Sequence, residues 1–287
     1  MNNLQAKLDQ LKWLKSSGVE YFCSTEKDSK NSLISELISN SSDKVEINEP
    51  KPVKSTNSVQ STKPLKSVIQ NIMKETKTTN TPNSNILAAR ALADKAENLA
   101  QLKEYVENFE GCALKKFAAN TVFADGVQDA KILLIGEAPG ATEDEQGIPF
   151  CGESGKLLDK MLASIGICRT KNAYITNTIF WRPPANRRPT TEEIDICKPF
   201  VEKHIALMKP KLIILVGGTA TASLLGKSEG ISHIRKNSYS YTNQYISDPI
   251  HTTALFHPAY LLRQPMQKKT TWYDLLKIKD LLKKLGV

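Results

Sequence analysis

Short apolar runs alternate with amphipathic segments along the last two thirds of the chain. The apolar runs are rich in β-branched residues and predict strands at residues 131–135, 173–177, 211–216 and 252–256. Apolar residues spaced three and four apart predict helices at residues 155–165, 191–208, 219–225 and 270–284, with one or two more within 86–109. Such alternation is typical of a mostly parallel sheet with helices on both faces, so we expect a three-layer α/β/α sandwich.

The first third of the chain has a different pattern. Leucines within residues 4–14 follow the spacing of one helix face, which predicts a short amphipathic helix in residues 1–25. This helix either docks on the main domain or recruits another protein, and docking is the more ordinary role. Residues 26–84 hold too few large apolar groups to offset the entropy lost on ordering, so we expect a disordered linker. The folded domain is then predicted to span residues 85–287.

The composition limits which kinds of binding partner and which cellular compartment fit this chain. A formal net charge of +9 attracts polyanions, and nucleic acid is favoured here over an anionic membrane surface. No apolar run approaches the roughly 18 residues that cross a bilayer, and charges stand where a signal peptide has its apolar segment. The five cysteines are scattered and odd in number, which argues against a disulfide framework and for a reducing compartment. We therefore expect a cytoplasmic protein.

Polar groups follow three of the four predicted strands. Residues 136–152, GEAPGATEDEQGIPFCG, come directly after the first strand and begin with a turn whose backbone N–H groups are free. Asn177 ends the second strand, and His257 follows the fourth. Open α/β sheets bind their ligands at the carboxyl ends of their strands, so we expect these groups to meet there. With the carboxylate of Glu137 and the ring of Phe150, they predict a pocket for something flat and polar.

Each of these residues also has a plainer interpretation. An asparagine at the position of Asn177 more often caps a turn, although its amide also presents a donor and an acceptor side by side. His257, which precedes Pro258, has the alternative role of capping a turn. The GEAPG turn lacks both the GxGxxG spacing and the Lys-Ser/Thr of a P-loop, so cofactor binding is the weaker interpretation. No pattern of His, Ser and Cys near His257 supports a nucleophilic triad or a zinc site.

A segment that is both apolar and basic follows His257. Leu261, Leu262 and Arg263 are predicted to lie in a loop, where leucines could wedge into a base stack while the arginine grips phosphate. The alternative is that the leucines begin a core helix. Lys156 and Arg187 are further candidates for DNA contacts near the same edge, although any one of them could belong to a solvated charged surface. Other basic groups nearby are Arg182, Arg188, Lys268 and Lys269.

Three separated motifs carry a resemblance to a known family. GEAPGATEDEQGIPFCGESG, YITNTIFWRPPANRRP and HPAYLLRQP, in this order and spacing, resemble the type-4 uracil-DNA glycosylases, which include phage-type DNA polymerase-related proteins. The resemblance covers residues 85–287. It implies a single α/β/α sandwich that flips uracil out of DNA and hydrolyses its N-glycosidic bond in base-excision repair. We accordingly expect a monomer that acts on uracil-containing DNA in the bacterial cytosol or nucleoid.

The resemblance also implies a role for each site residue. Asn177 would pair with the uracil edge, Phe150 would stack on the ring, and His257 would donate to the uracil oxygen that gains charge. Glu137 would orient the attacking water or stabilise the cation-like sugar. Glu143 would lie near the edge of the ring that carries the methyl group in thymine. The expected uracil-binding residues are thus Gly136, Glu143, Phe150 and Asn177, and the expected catalytic residues are Glu137 and His257.

One feature of the family is incomplete in this chain. The family usually holds a [4Fe–4S] cluster with four cysteines, and the resemblance places Cys112 and Cys197 at two of these positions. Phe109 and Trp181 stand at the other two. Because two thiolates cannot hold a cubane cluster by the usual scheme, we expect no cofactor and no metal. We also expect Phe109 and Trp181 to fill the volume as apolar core.

Two other functions stay open at this point. The first is a catalytically weak or inactive nucleic-acid-binding protein that keeps the glycosylase fold. Retention of Glu137, Phe150, Asn177 and His257 argues against this alternative. The second is the reaction of a sister group in which a His-bearing loop traps the sugar covalently. Residues 178–196 contain no histidine, which argues against covalent trapping.

Overall fold

The computed structural model describes Asp9, residues 11–15 and residues 82–287. The predicted linker, apart from its last three residues, lies outside this part of the chain, as does most of the predicted N-terminal helix. Residues 82–84 begin a helix, so regular structure starts slightly before the predicted domain boundary. No helix in the described residues is both long and apolar enough to cross a membrane.

A six-stranded mixed sheet forms the centre of the domain, in the order β1-β3-β2-β4-β6-β5. The four central strands are parallel to one another, and the two edge strands β1 and β5 are antiparallel to their neighbours. All four predicted strands are present within two residues of their expected bounds. The strands are β1 (Asp125–Gly126), β2 (Ile132–Gly136), β3 (Ala173–Asn177), β4 (Leu212–Val216), β5 (Tyr239–Tyr241) and β6 (Ile250–Leu255).

Helices precede the sheet and connect its strands. Two short 3-10 turns, Ala113–Lys116 and Pro184–Asn186, interrupt the connections. The α-helices are α1 (Pro82–Lys95), α2 (Leu99–Asn108), α3 (Ala141–Gln146), α4 (Glu153–Ala163), α5 (Thr191–Met208), α6 (Gly218–Leu225), α7 (Ile231–Ile234), α8 (Pro258–Arg263) and α9 (Gln267–Leu285).

Alternating side chains of the central strands enter two separate apolar cores. Leu133 and Ile135 of β2 pack with α1, α2 and α5 on one face of the sheet. Ile132 and Leu134 pack with α4 and α9 on the other face. This period of two is the consequence of the pleat, which turns successive side chains to opposite faces. The structure therefore confirms the predicted α/β/α sandwich.

Residues 11–15, here called the N-terminal helical segment, pack on the same face of the sheet as α4 and α9. Trp13 and Leu14 are buried, and the Trp13 ring stacks on Trp272 of α9 with a centroid distance of 5.5 Å. Stacked rings of this kind contribute about 0.5–1.5 kcal/mol beyond the area they bury. Trp13 and Leu14 thus belong to the core of the domain.

Candidate active site

The carboxyl ends of β2 and β3 form the centre of the site. Gly136 at the end of β2 lies in register with Asn177 at the end of β3. A β-carbon added to Gly136 would lie 2.4 Å from the Asn177 Oδ1 atom and 2.5 Å from the Phe150 ring. Only glycine therefore allows the amide and the ring to meet at this point. The structure brings together the three residues that the sequence places far apart.

Asn177 has an unsatisfied polar atom inside the protein. Its side chain is buried, and the Oδ1 atom has no hydrogen-bond partner within residues 82–287 or the N-terminal helical segment. A buried oxygen without a partner costs about 1–3 kcal/mol, so native structures rarely keep one without a reason. The arrangement fits a ligand that supplies an N–H group to this oxygen when it binds.

Phe150 is held in an unusual backbone conformation. Its φ angle of 52° lies in the left-handed region, which is uncommon for a residue other than glycine. The next helix approaches this loop closely, because a β-carbon on Gly155 would lie only 1.7 Å from the Phe150 carbonyl oxygen. The Phe150 ring lies 5.7 Å from the His257 ring, between centroids. The loop thus holds the Phe150 ring between Gly136 and His257.

His257 follows β6 and caps the short helix α8. Its Nδ1 atom accepts a hydrogen bond from the Ala259 backbone N–H at 3.2 Å. Burial lowers the pKa of His257, although the nearby carboxylates of Glu137 and Glu143 oppose this effect. The ring is therefore neutral at pH 7, and because Nδ1 accepts, its proton is on Nε2. The structure confirms that His257 caps a helix. Its Nε2–H group, which makes no hydrogen bond to the residues that the structure describes, stays a candidate donor.

The two glutamates of the first motif have different surroundings. Glu137 is half-buried, and its carboxylate makes no hydrogen bond to the residues that the structure describes. Glu143 instead accepts hydrogen bonds from the backbone N–H groups of Gly140, at 3.1 Å, and Gly152, at 2.9 Å. Its carboxylate ties the GEAPG turn to the start of α4. A direct contact of Glu143 with uracil stays a prediction.

The two leucines of α8 point in different directions. Leu261 is fully buried in the core shared with α4 and α9, whereas Leu262 is 45% exposed. The segment is a helical turn and not the predicted loop, so neighbouring side chains point about 100° apart around the helix axis. The predicted DNA contact of Leu261 is therefore corrected to a core position, and only Leu262 remains a candidate wedge.

The basic candidates lie on the surface with different partners. Lys156 forms an exposed ion pair with Glu153 at 2.6 Å. Arg187 forms two hydrogen bonds with Glu193, at 2.9 and 2.6 Å, and Glu193 in turn closes the capping box of α5. Arg263 is exposed. Exposed pairs of this kind contribute little stability, so their cations remain able to exchange a carboxylate for a phosphate.

Sequence reasoning missed Arg169, which hydrogen-bonds to the backbone of the loop between α3 and α4, here called the Phe150 loop (residues 147–152). Its guanidinium donates to the carbonyl oxygens of Pro149, at 3.0 Å, and Phe150, at 2.8 Å. The sequence gives no signal for this role, because a single arginine between a cysteine and a threonine fits any loop. Only the three-dimensional arrangement reveals the contact.

The four positions at which the resemblance places cluster ligands are all buried and pack with Phe200 in one apolar cluster, here called the aromatic core: Phe109, Cys112, Trp181 and Cys197. The Phe109 ring packs edge-on against Phe200 at 5.1 Å, and the Trp181 Nε1–H group donates to Thr121 Oγ1 at 2.9 Å. A hydrogen bond with Cys112, together with burial, raises the pKa of Cys197 well above its ordinary value.

These residues do not fit a four-thiolate cluster. The described residues contain no group of three or more His, Cys, Asp and Glu side chains arranged to bind a metal ion. Cys112 and Cys197 are the two cysteines at these positions, whereas a cubane cluster is ordinarily held by four thiolates. Phe109 and Trp181 occupy the remaining space with side chains that cannot ligate iron.

The fold and the site together place an amide, an aromatic ring and an imidazole at the carboxyl edge of a parallel sheet. Comparison with known proteins identifies the family. The sequence model of the uracil DNA glycosylase superfamily matches residues 123–278, and the chain belongs to this superfamily.

Named relatives narrow the family further. The chain is 36% identical over 187 residues to a type-4 uracil-DNA glycosylase of Sulfurisphaera tokodaii, covering 64% of this chain and 85% of that protein. It is 34% identical over 172 residues to a type-4 uracil-DNA glycosylase of Pyrobaculum aerophilum, covering 58% of this chain and 86% of that protein. A DNA polymerase of Bacillus phage SP01 is 29% identical over 148 residues, which cover 51% of this chain and 16% of the polymerase.

Proposed function

We infer that this protein is a uracil-DNA glycosylase, which flips uracil out of DNA and hydrolyses its N-glycosidic bond to leave an abasic site for base-excision repair. The observation that carries this inference is the Oδ1 atom of Asn177, which is buried beside the Phe150 ring and has no hydrogen-bond partner in the described part of the chain. An extruded uracil presents an aromatic face for the ring and an N–H group next to a carbonyl for the amide. These two contacts supply part of the energy needed to unstack the base.

Departure of uracil leaves negative charge on its ring, and His257 is the residue that we assign to stabilise it. The C1′–N1 bond breaks and its electron pair stays with uracil, so charge develops on the O2 oxygen. The neutral imidazole donates its Nε2 proton as a hydrogen bond to this oxygen. One preorganised donor to developing charge is worth about 3 kcal/mol, which is about a 100-fold change in rate.

Glu137 is the residue that we assign to the sugar side of the reaction. As the C1′–N1 bond breaks, the deoxyribose ring gains positive charge, which a carboxylate stabilises. The carboxylate of Glu137 has no hydrogen bond within the described part of the chain, so it is free to orient the attacking water. Attack of the water oxygen at C1′ completes the hydrolysis, and the water proton is lost to solvent or to the carboxylate.

DNA binding is assigned to the exposed groups around the same edge. Leu262 would fill the gap that the extruded base leaves, while Lys156, Arg187 and Arg263 would contact phosphates. The formal net charge of +9 favours association with DNA. Since phosphate contacts release counterions, we expect the affinity to fall steeply as the salt concentration rises.

A labelled oligonucleotide that contains one deoxyuridine tests this function. The purified protein is incubated with it, and the products are treated with alkali and separated on a denaturing gel. We expect cleavage at deoxyuridine and none when thymidine replaces it. An intact strand with DNA binding preserved would favour the non-catalytic alternative. A protein–DNA adduct that resists denaturation would favour covalent trapping.

The variant His257→Asn tests the assignment of the leaving-group donor. Asparagine keeps a side chain that caps a helix, but it does not place a donor where the imidazole Nε2–H lies. We expect uracil release to fall about 100-fold while binding to undamaged DNA is retained. Equal rates for the variant and the wild type would remove His257 from the catalytic residues.

We also propose that the protein works without an iron–sulfur cluster. Support comes from the aromatic core, in which Phe109 and Trp181 are buried at two of the four expected ligand positions and leave only Cys112 and Cys197 as thiols there. Iron and acid-labile sulfide analysis of freshly purified protein, with an absorbance spectrum, tests this proposal. We expect neither iron nor a brown absorbance band, and full activity in the presence of an iron chelator. Stoichiometric iron and sulfide would overturn the proposal.

A further inference from the structure

We propose that Arg169 is a positioning residue that holds the Phe150 ring in place for the extruded base. Arg169 lies in the loop between α4 and β3, and only 13% of its side chain is exposed. It contacts the Phe150 loop through backbone carbonyl oxygens, so we assign it to the position of the loop and not to the substrate. This inference concerns how the base pocket is built and therefore rests on the proposed function.

The guanidinium binds the loop at the two residues that set the direction of the ring. Nη1 donates to the Pro149 carbonyl oxygen at 3.0 Å, and Nη2 donates to the Phe150 carbonyl oxygen at 2.8 Å. Phe150 has a φ angle of 52°, a conformation that persists only when its surroundings enforce it. The two hydrogen bonds of Arg169 are part of this enforcement, together with the close approach of Gly155.

The same guanidinium is anchored on two other elements of the domain. Nε donates to Asp159 of α4 at 2.9 Å, and Nη1 donates to Asp125 of β1 at 3.1 Å. Strand β1 pairs with β3, the strand that ends in Asn177, and Asp125 lies opposite Ile175. Arg169 therefore fixes the loop that carries Phe150 relative to the strand that carries Asn177. The stacking ring and the pairing amide are set in one geometry before the base arrives.

A lysine cannot reproduce this set of contacts. The planar guanidinium directs its N–H groups along several fixed directions, and here four of its hydrogen bonds reach two carbonyls and two carboxylates. An ammonium group has three donors around one atom, so it would reach the carboxylates or the carbonyls but not all of them. The variant Arg169→Lys thus keeps the positive charge but loses part of the hydrogen-bond geometry, so it tests the two contributions separately.

The test compares Arg169→Gln and Arg169→Lys with Arg90→Gln. Arg90 is a matched control because it is also a partly buried arginine, paired with Glu202 at 2.6 Å, but it belongs to α1 and its partner to α5. For each protein we would measure single-turnover uracil release, inhibition by free uracil and affinity for undamaged duplex. Hydrogen exchange of the backbone amides in residues 147–155 would be measured alongside.

A misplaced Phe150 ring should slow catalysis and weaken the binding of the base without changing the affinity for undamaged duplex DNA. We expect Arg169→Gln to lower the single-turnover rate about 100-fold and to raise the inhibition constant of free uracil. Arg169→Lys should lower the single-turnover rate about 10-fold, because it keeps the positive charge but only part of the hydrogen-bond geometry. Affinity for undamaged duplex should stay within about twofold for all three variants, and Arg90→Gln should keep the wild-type rate.

Two kinetic results would overturn the inference. One is an Arg169→Gln variant with wild-type rate and uracil inhibition. The other is an Arg90→Gln variant that loses as much activity, which would mean that any loss of a partly buried ion pair has this effect. Hydrogen exchange separates this inference from the proposed function. If the wild type releases no uracil, the proposed function fails, whereas unchanged exchange in residues 147–155 of Arg169→Gln would refute the positioning role by itself.

Discussion

The carboxyl edge of the sheet and the aromatic core are joined by a short stretch of chain, yet they are built in opposite ways. At the edge, Asn177 keeps a buried oxygen without a partner in the described structure, and Phe150 has a left-handed backbone conformation. A few residues later, Trp181 is buried with its indole N–H group hydrogen-bonded, in contact with the apolar core that includes Phe109.

This difference separates residues kept for chemistry from residues kept for stability. Unsatisfied polar atoms and strained dihedral angles each cost free energy, and they persist where a ligand or a reaction requires them. Satisfied hydrogen bonds and close packing lower the free energy of the folded state without any ligand. The comparison therefore predicts that substitutions at the edge change activity more than stability, and that substitutions in the aromatic core do the reverse.

Asn177→Ala is expected to have the largest effect on activity. Loss of the amide removes the contact with the uracil edge, so we expect uracil release to fall by about 100- to 1,000-fold. Because the wild-type Oδ1 atom has no partner in the described part of the chain, its removal should not lower the unfolding free energy. Single-turnover kinetics and thermal unfolding of the same preparation check both expectations. A large loss of stability would mean that Asn177 supports the fold.

Trp181→Ala tests the other side of the comparison. The side chain is 1% exposed, and its truncation leaves a large cavity and removes the hydrogen bond to Thr121. We expect the unfolding free energy to fall by about 3–5 kcal/mol, as for other large-to-small core changes. Urea unfolding measures this loss. At a temperature where the variant is folded, its rate of uracil release should equal that of the wild type, and a slower rate would place the aromatic core within the site.

Much of the fold follows from the sequence alone. The four central strands are covered on both faces, so each appears as a nearly unbroken apolar run with sharp ends. The two edge strands were not predicted. Asp125–Gly126 is too short and polar to show a pattern, and Tyr239–Tyr241 is stabilised by pairing with β6. Pairing with a distant strand leaves little trace in a local sequence.

The site could be predicted only as far as strand ends determine it. Gly136 and Asn177 end parallel neighbouring strands, so their proximity follows from the topology. The position of the Phe150 ring does not follow, because it depends on a positive φ angle and on the distant Arg169. The rotation of the short helix α8 about its own axis could not be predicted either, and this rotation determines which leucine is buried.

The two leucines of α8 provide a matched pair within one helical turn. Leu261 is fully buried and Leu262 is 45% exposed at the site. Leu261→Ala should lower the unfolding free energy by about 2–5 kcal/mol. Leu262→Ala should keep the stability within about 0.5 kcal/mol of the wild type. It should slow uracil release from duplex DNA more than from single strands, because only a duplex requires a wedge.

Parallel assays on duplex and single-stranded oligonucleotides, with urea unfolding of both variants, distinguish the leucines. Equal slowing of Leu262→Ala on both substrates would remove the wedge role. A stable Leu261→Ala variant with impaired duplex activity would mean that the buried leucine moves out of the core when DNA binds.

His204 sharpens the comparison between the sheet edge and the aromatic core, because it has a buried nitrogen without a hydrogen-bond partner in the described residues, away from the site. Its Nδ1 atom has no partner among the described residues, while Nε2 hydrogen-bonds with the Tyr174 hydroxyl at 3.1 Å. The ring stacks on Phe123 at 4.4 Å. Burial lowers the pKa of His204 to about 3. Here the unsatisfied atom is a cost of packing and is not offered to a ligand.

This cost should appear as acid sensitivity of the fold. The unfolded state binds a proton near pH 6.5 and the folded state only near pH 3, so stability decreases as the pH falls through this window. At pH 5 the loss amounts to about 2 kcal/mol. His204→Gln, which keeps a partner for Tyr174, should remove this part of the pH dependence, whereas His233→Gln on the surface should not. Urea unfolding at pH 7.5 and pH 5 measures the difference, and identical pH dependence in His204→Gln and the wild type would mean that His204 takes up its proton in the folded state.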